Sequence, residues 1–260
     1  MESIQYSVDG HVATIGLNRP DRKNAFTLPM VNQWADYLLT AEDDPLVRVV
    51  VLTGAGDAFC SGVDLEDFKG ESRTPLQEKQ LLTRHVHRVA RAMDVLTKPV
   101  IAAVGGVAVG AGMDMALMCD IRIASTAARF SEGYIRVGLV PGDGGCYYLP
   151  RIVGTQQALR LLWTGEFVDA EEALRIGLVA EVVAPEDLDA RVGELAGEIA
   201  SRAPVAVQMI KSAVRSGSRM DLSGALDLIS SHQAVVLSTE DSHEAFEAFR
   251  QRRVPEFHNR

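Results

Sequence analysis

Cysteine is scarce in this chain and poorly placed for structural work. The three, Cys60, Cys119 and Cys146, are scattered and odd in number. No C-x-x-C pair or Cys/His ligand spacing occurs, which argues against a metal site and a disulfide framework. Basic charge is also short, with 26 Lys and Arg against 35 Asp and Glu and a net charge of −9. A nucleic-acid partner needs a concentrated basic face, so none is expected. Long hydrophobic runs are missing. The longest weakly polar stretch, Pro99 to Met113, is too short for a membrane span and is broken by glycines. The first residues, Met1-Glu2-Ser3-Ile4-Gln5-Tyr6, lack the basic and apolar regions of a signal peptide. A cytoplasmic chain with no membrane partner is the expectation. Gly110-Ala111-Gly112-Met113-Asp114-Met115 lacks the third glycine of a dinucleotide turn. There is no G-K-[ST] phosphate loop and no G-x-S-x-G elbow.

What is present is an α/β pattern. At 260 residues and 47% hydrophobic content, the chain can bury one large core, or a core with a small appendage. Val12 to Leu17, Val47 to Leu52 and Val100 to Val104 read as strands. Between them Leu28, Val31, Trp34, Ala35 and Leu38 share one helical face. Thr74-Pro75-Leu76-Gln77 is a capping box, followed by the stripe Leu82, Val86, Val89 and Met93. After about Gly154 the strand signal fades. Asp169-Ala170-Glu171-Glu172 opens a short helix that Gly177 stops, and 187–201, 205–215, 222–237 and 241–251 read as helices. The expected organisation is an α/β body over residues 1–195 and a helical region over 196–260, with no linker or internal repeat between them. Lys211, Arg215, Arg252 and Arg253 in that region read as solvated face residues.

Two glycine-rich turns carry the chemical signal. The first is Phe59-Cys60-Ser61-Gly62-Val63-Asp64-Leu65. The second, Gly105-Gly106-Val107-Ala108-Val109-Gly110-Ala111-Gly112, follows an apolar run and leads into a helix. A helix start leaves its first amides without intrahelical acceptors, and the dipole behind them suits a developing negative oxygen. Two such donors from separate turns point to carbonyl chemistry.

Four segments, in order, resemble the coenzyme-A-binding signatures of the enoyl-CoA hydratase/isomerase (crotonase) family. They are Asn18-Arg19-Pro20 through Asn24-Ala25, Phe59 to Leu65, Ala103-Val104-Gly105-Gly106 through Met118-Cys119-Asp120, and Phe130 to Gly145. The resemblance implies a crotonase-like core of repeated ββα turns with a helical C-terminal region, trimers often paired into hexamers, and acyl-CoA thioester substrates. It implies an enolate held by two backbone amides, which fall on Val63 and Ala111. Lys23, Ala25, Ser61, Asp64 and Leu65 would line the coenzyme-A channel. Coenzyme A enters as part of the substrate, and no further cofactor or metal is expected.

The chain departs from that family pattern where hydratases usually carry two glutamates. Those positions match Asp114 and Tyr134. Water addition needs one group for the water and another for the α-proton, and a tyrosine with a pKa near ~10 is a poor base. Asp114 sits in the first turn of the proposed catalytic helix. Asp143, flanked by Gly142 and Gly144, lies one residue after the place where several family isomerases carry an acid; it is also an ordinary turn or N-cap residue. Glu132 would share a face with Tyr134 on a strand. The histidines, His85 and His87 among them, read as surface or packed residues. Acyl-pocket walls are expected from Glu66 to Arg91. The assignment is an enzyme that hydrates or isomerises an enoyl-CoA, with Asp114, Asp143 and Tyr134 as catalytic candidates. The alternatives are a lyase or decarboxylase of the same family and a non-catalytic acyl-CoA-binding scaffold.

Overall fold

The computed structural model describes residues 2–64, 66 and 73–259. Among them the longer strands form a six-stranded sheet in the order β1-β2-β3-β5-β7-β10. These are β1 (Ile4–Asp9), β2 (Val12–Leu17), β3 (Val49–Gly54), β5 (Val100–Val104), β7 (Ile121–Ser125) and β10 (Glu181–Val183). β1 runs antiparallel to β2, and the remaining pairs are parallel. A second, four-stranded sheet holds the short strands β4 (Ala58–Cys60), β6 (Val107–Val109), β8 (Arg129–Ser131) and β9 (Val168–Asp169), in that order. The chain thus alternates between sheets: β3 then β4, β5 then β6, β7 then β8. This is the crotonase-like repeat that the resemblance implied. The short second strands and β10 escaped the sequence reading, because segments of two or three residues carry no measurable period.

Alternation along the central strands explains the layering. Val50, Leu52, Ala102 and Val104 point into the main core. There they meet α1 (Leu28–Asp43), through Trp34 and Leu38, and α3 (His87–Val95), through Val89 and Met93. Val49, Val51, Ile101, Ala103 and Ile123 point the other way and are covered by Leu188, Val192, Ala196 and Ala200 of α8 (Leu188–Ala200). The expected boundary at residue 195 therefore falls inside a helix that belongs to the sheet. Thr74 and Gln77 cap α2 (Pro75–Leu81) reciprocally, as the sequence pattern requires, and a π-helical turn, Leu82–Val86, joins it to α3. Helix α4 (Ala111–Met118) is buried at every position and follows β6 with one intervening residue, Gly110. Past Gly144 come α5 (Gly145–Val153), α6 (Thr155–Thr164) and α7 (Ala170–Arg175), the last capped by Asp169.

Beyond α8 the chain adds α9 (Pro204–Gly217), α10 (Leu222–Leu237) and α11 (Glu240–Gln251). Two of the presumed face residues on α9 anchor it instead. Lys211 Nζ lies 2.7 Å and Arg215 Nη2 2.8 Å from the Asp120 carboxylate. The same carboxylate accepts from the Val100 amide at 2.8 Å. Lys211 also donates to the Lys98 carbonyl and Arg215 to the Met93 carbonyl. Charge patterning along one helix could not show that Arg215 reaches an acid 95 residues upstream. Arg252 is exposed at the end of α11, and Arg253 pairs with Glu244.

Lys211 is only 8% exposed at its side chain, so removing its counter-charge strands a buried cation. Asp120→Asn is expected to cost about 3 kcal/mol, measured by urea unfolding at neutral pH. A loss below about 1 kcal/mol would return both cations to the solvated class.

Candidate active site

The two glycine-rich turns lie against each other. A β-carbon built on Gly112 would stand 2.1 Å from the Cys60 carbonyl oxygen, and one on Gly62 would stand 2.9 Å from the Val109 oxygen and 3.6 Å from the Ala111 nitrogen. Gly62 also has φ +96°, a conformation that side-chain-bearing residues rarely adopt. The first turn is pinned to residue 26: the Phe26 amide donates to the Gly62 carbonyl and the Asp64 amide to the Phe26 carbonyl, each at 2.9 Å. Val63 sits between these bonds in a parallel bridge with Phe26. In the second turn Gly110 donates to the Ser131 carbonyl at 2.8 Å, and Ala111 opens α4. The structure thus brings the Val63 and Ala111 turns together.

The coenzyme-A candidates gather beside the first turn. Lys23 adopts a left-handed backbone (φ 48°), its carbonyl accepts from the Ser61 amide at 2.9 Å, and its exposed ammonium lies 3.9 Å from Asp57. Asp64 pairs with Arg19 Nη1 at 2.9 Å, and the same nitrogen donates to the Ala25 carbonyl at 2.7 Å. Leu65 lies outside the described residues. Two residues of the first motif, given no individual role from sequence, do the holding. Arg19 joins Ala25 to Asp64. Asn24, fully buried, accepts from the Arg19 amide and donates to the Ala55 and Ala58 carbonyls.

The acids converge on one hydroxyl. Tyr134 Oη lies 2.9 Å from Asp114 Oδ2 and 2.7 Å from Asp143 Oδ2. A phenol carries one proton, so both contacts are hydrogen bonds only if one of the two carboxyls is itself protonated. Burial makes that proton affordable to keep. Asp114 is pushed up to about 7, by burial first and the Asp143 charge second, with Tyr134, Glu132 and the Gly145 amide acting the other way. Asp143 is also raised by burial, against the opposing Tyr134 hydroxyl and His87. The Tyr134 phenol is raised further still, by burial and both aspartates, and stays neutral. Its ring packs against Gly110, at the entrance to α4. Glu132 is 1% exposed, next to Asp114, and burial drives its carboxyl well above the ordinary range.

Asp143 is the member of this cluster that opens onto a cavity of about 500 Å³, walled by Ala90, Arg91, Tyr147 and Tyr148. That places part of the Glu66–Arg91 stretch in a pocket wall; 67–72 lie outside the described residues. His87, read from sequence as a bystander, also lines it, and its Nε2 donates to the Gly142 carbonyl at 2.8 Å. No local pattern signals that contact, since it spans 55 positions. The buried thiols of Cys60 and Cys119 are pushed up to about 12 by burial and are inert as nucleophiles.

Residues 7–260 match the family model described as enoyl-CoA hydratase/isomerase. A short-chain-enoyl-CoA hydratase of Clostridium acetobutylicum is 40% identical, covering 100% of this chain and 99% of that one. A 1,2-epoxyphenylacetyl-CoA isomerase of Escherichia coli is 36% identical over 99% of this chain and 98% of its own length. The crystal structure of an enoyl-CoA hydratase from Bacillus anthracis superposes with a TM-score of 0.95 at 33% identity, over 100% of both chains.

The raised acids tie stability to pH. Their neutral forms are favoured in the fold, so unfolding releases protons above the ordinary carboxylate range, and stability falls as pH climbs from about 4 toward 7 and beyond. Asp143→Asn removes one contributor. Relative to the parent, the variant is expected to gain stability as pH rises above the ordinary carboxylate range, by urea unfolding. Parallel stability curves would show that Asp143 ionises in the fold as freely as in the unfolded chain.

Proposed function

Because the chain belongs to the enoyl-CoA hydratase/isomerase family, we propose that it binds an acyl-CoA thioester, forms its enolate and moves a double bond along the acyl chain. The Val63 and Ala111 amides hold the thioester oxygen. Each such donor lowers the barrier by about 3–4 kcal/mol. Lys23, Ala25, Ser61 and Asp64 line the coenzyme-A channel. No metal or further cofactor takes part.

The observation that carries this reading is the Tyr134 hydroxyl lying between two buried carboxyls. Asp143, facing the cavity, takes the proton from the carbon next to or beyond the double bond. The C–H electron pair moves into the enolate, and the thioester oxygen takes up the charge. A proton returns to another carbon of the same chain as the enolate collapses, so nothing is gained or lost. Tyr134 passes its proton to one aspartate as it receives one from the other. This lets Asp114 and Asp143 exchange roles without water. Hydration is the second reading, supported by relatives such as the crotonyl-CoA hydratase of Syntrophomonas wolfei. It would use the same acids on a water molecule.

Two further statements belong to the proposal. The exposed apolar side chains of the last helices, among them Leu222 at 75% and Phe249 at 85%, form a surface suited to self-association as a trimer or a pair of trimers. The setting is cytoplasmic, in keeping with the absence, among the described residues, of a helix long and apolar enough to cross a membrane.

With a 3-enoyl-CoA substrate, the conjugated-thioester absorbance is expected to rise. With crotonyl-CoA under excess enzyme, hydration gives a loss of that absorbance with formation of a hydroxyacyl-CoA, which isomerisation cannot form. Asp143→Asn and Asp114→Asn should each lower kcat by roughly 10²–10⁴. Unchanged turnover in both would remove them from the mechanism. Sedimentation equilibrium is expected to give three or six times the chain mass, and a monomer would refute the assembly.

A further inference from the structure

Glu132 is a buried acid for which the mechanism above has no task. It follows β8 and opens the 3-10 turn Gly133–Val137, carried on the same turn as Tyr134. Neither of its oxygens, nor Asp114 Oδ1, has a hydrogen-bond partner among the described residues. Three such oxygens would be a heavy desolvation cost if all were charged. Their arrangement suggests otherwise. A β-carbon built on Gly145 would stand 2.9 and 3.0 Å from the two Glu132 oxygens and 2.4 Å from Asp114 Oδ1. The two carboxyls therefore face each other across a residue with no side chain. Two carboxylates in dry contact repel, whereas one proton between them makes a short charge-assisted hydrogen bond.

We propose that Glu132 is a positioning residue that stays protonated and donates its O–H to Asp114 Oδ1, leaving Asp114 Oδ2 to work with Tyr134. The groups that bear on it all favour the neutral acid. Burial acts first, then Asp114 from α4, Cys146 from α5 and Asp143 from the loop before it. No cation is among them. Asp114 in turn is raised by burial and Asp143 and lowered by its two donors, Tyr134 and Glu132. Glu132 thus supplies a fixed donor that keeps the Asp114 carboxylate within reach of neutral pH despite full burial. A glutamine can make the same bond with its N–H. A leucine cannot.

The inference rests on the proposed reaction only for its kinetic consequence, and two experiments keep them apart. The first needs no substrate. The infrared difference spectrum of parent minus Glu132→Gln at pH 7.5 is expected to contain the carbonyl stretch of a neutral carboxylic acid. Carboxylate bands in its place would overturn the proposal. The second reads the acid limb of the kcat/KM profile against pH. Glu132→Gln should keep kcat within about threefold and leave the limb in place, because the donor survives. Glu132→Leu should move the limb upward by about one pH unit, because Asp114 loses a bond to its charged form. The sign is diagnostic. An ionised Glu132 repels the Asp114 charge, so either substitution would then move the limb downward and overturn the assignment. Failure of every enoyl-CoA to react would sink the reaction while leaving the infrared result to judge Glu132.

Discussion

Two stretches of backbone can touch at the centre of this molecule because Gly62 and Gly112 offer nothing to keep them apart. The contact between Gly112 and the Cys60 carbonyl is closer than any β-carbon would tolerate. It seats the first turn of α4 against the end of β4, and so sets where the Ala111 amide and, three residues on, the Asp114 carboxyl stand. The same economy recurs at Gly145, where a missing side chain leaves room for two carboxyls. The sheets exist to hold these approaches rigid. β4 and β6 pair in parallel beneath the turns, and β5, buried at all five positions, runs straight into the second of them. The placement of the Ala111 amide and the Asp114 carboxyl is a packing result before it is an electrostatic one.

The acid cluster is a local liability that such rigidity makes tolerable. Asp114, Glu132 and Asp143 are all buried, and no described cation forms an ion pair with any of them. In a looser fold such groups would draw water in and relax to ordinary ionisation. Held dry, they instead retain protons near neutrality, which is what a site that trades protons with carbon needs. The Asp120 cluster shows the opposite solution. There Lys211 and Arg215 neutralise a half-buried carboxylate, and Asp120 serves only to tie α9 to the strand and helix before it. One chain thus contains a charge-balanced anchor at Asp120 and a cluster of buried acids with no described ion-pair partner at Tyr134.

How much of this could be read from sequence depended on whether the signal was local. The capping box at Thr74, the α4 start at Ala111 and the buried strand Val100–Val104 are written in consecutive residues, and the structure has each where it was expected. Asp114, Asp143 and Tyr134 were picked out singly, by helix position, glycine flanks and family resemblance. That they meet at one oxygen atom is a tertiary fact, linking positions 20 and 9 residues apart through a turn and a loop. Lys211 and Arg215 went astray for the same reason, since a cation on a helix face looks solvated until its distant acid is known. His87 was missed because the partner that defines it is a backbone carbonyl, which has no identity in a sequence.

The exchange of a carboxylate for a phenol at position 134 alters what the site can move. A second carboxylate beside Asp114 would supply a base for water, at the expense of another buried charge. A phenol supplies no base near neutral pH, yet it both gives and accepts a hydrogen bond at the same oxygen. Placed between two acids that together hold too few protons, it conducts rather than stores. In the proposed reaction a proton that Asp143 gains from substrate can pass on to Tyr134 as Tyr134 yields its own toward Asp114. The relay through Tyr134 leaves the charge of the cluster unchanged, while the proton taken from substrate adds one positive charge that its return to the same molecule removes. The proposal of double-bond movement rests on this relay and on a phenol at position 134 that supplies no base for an outside water near neutral pH.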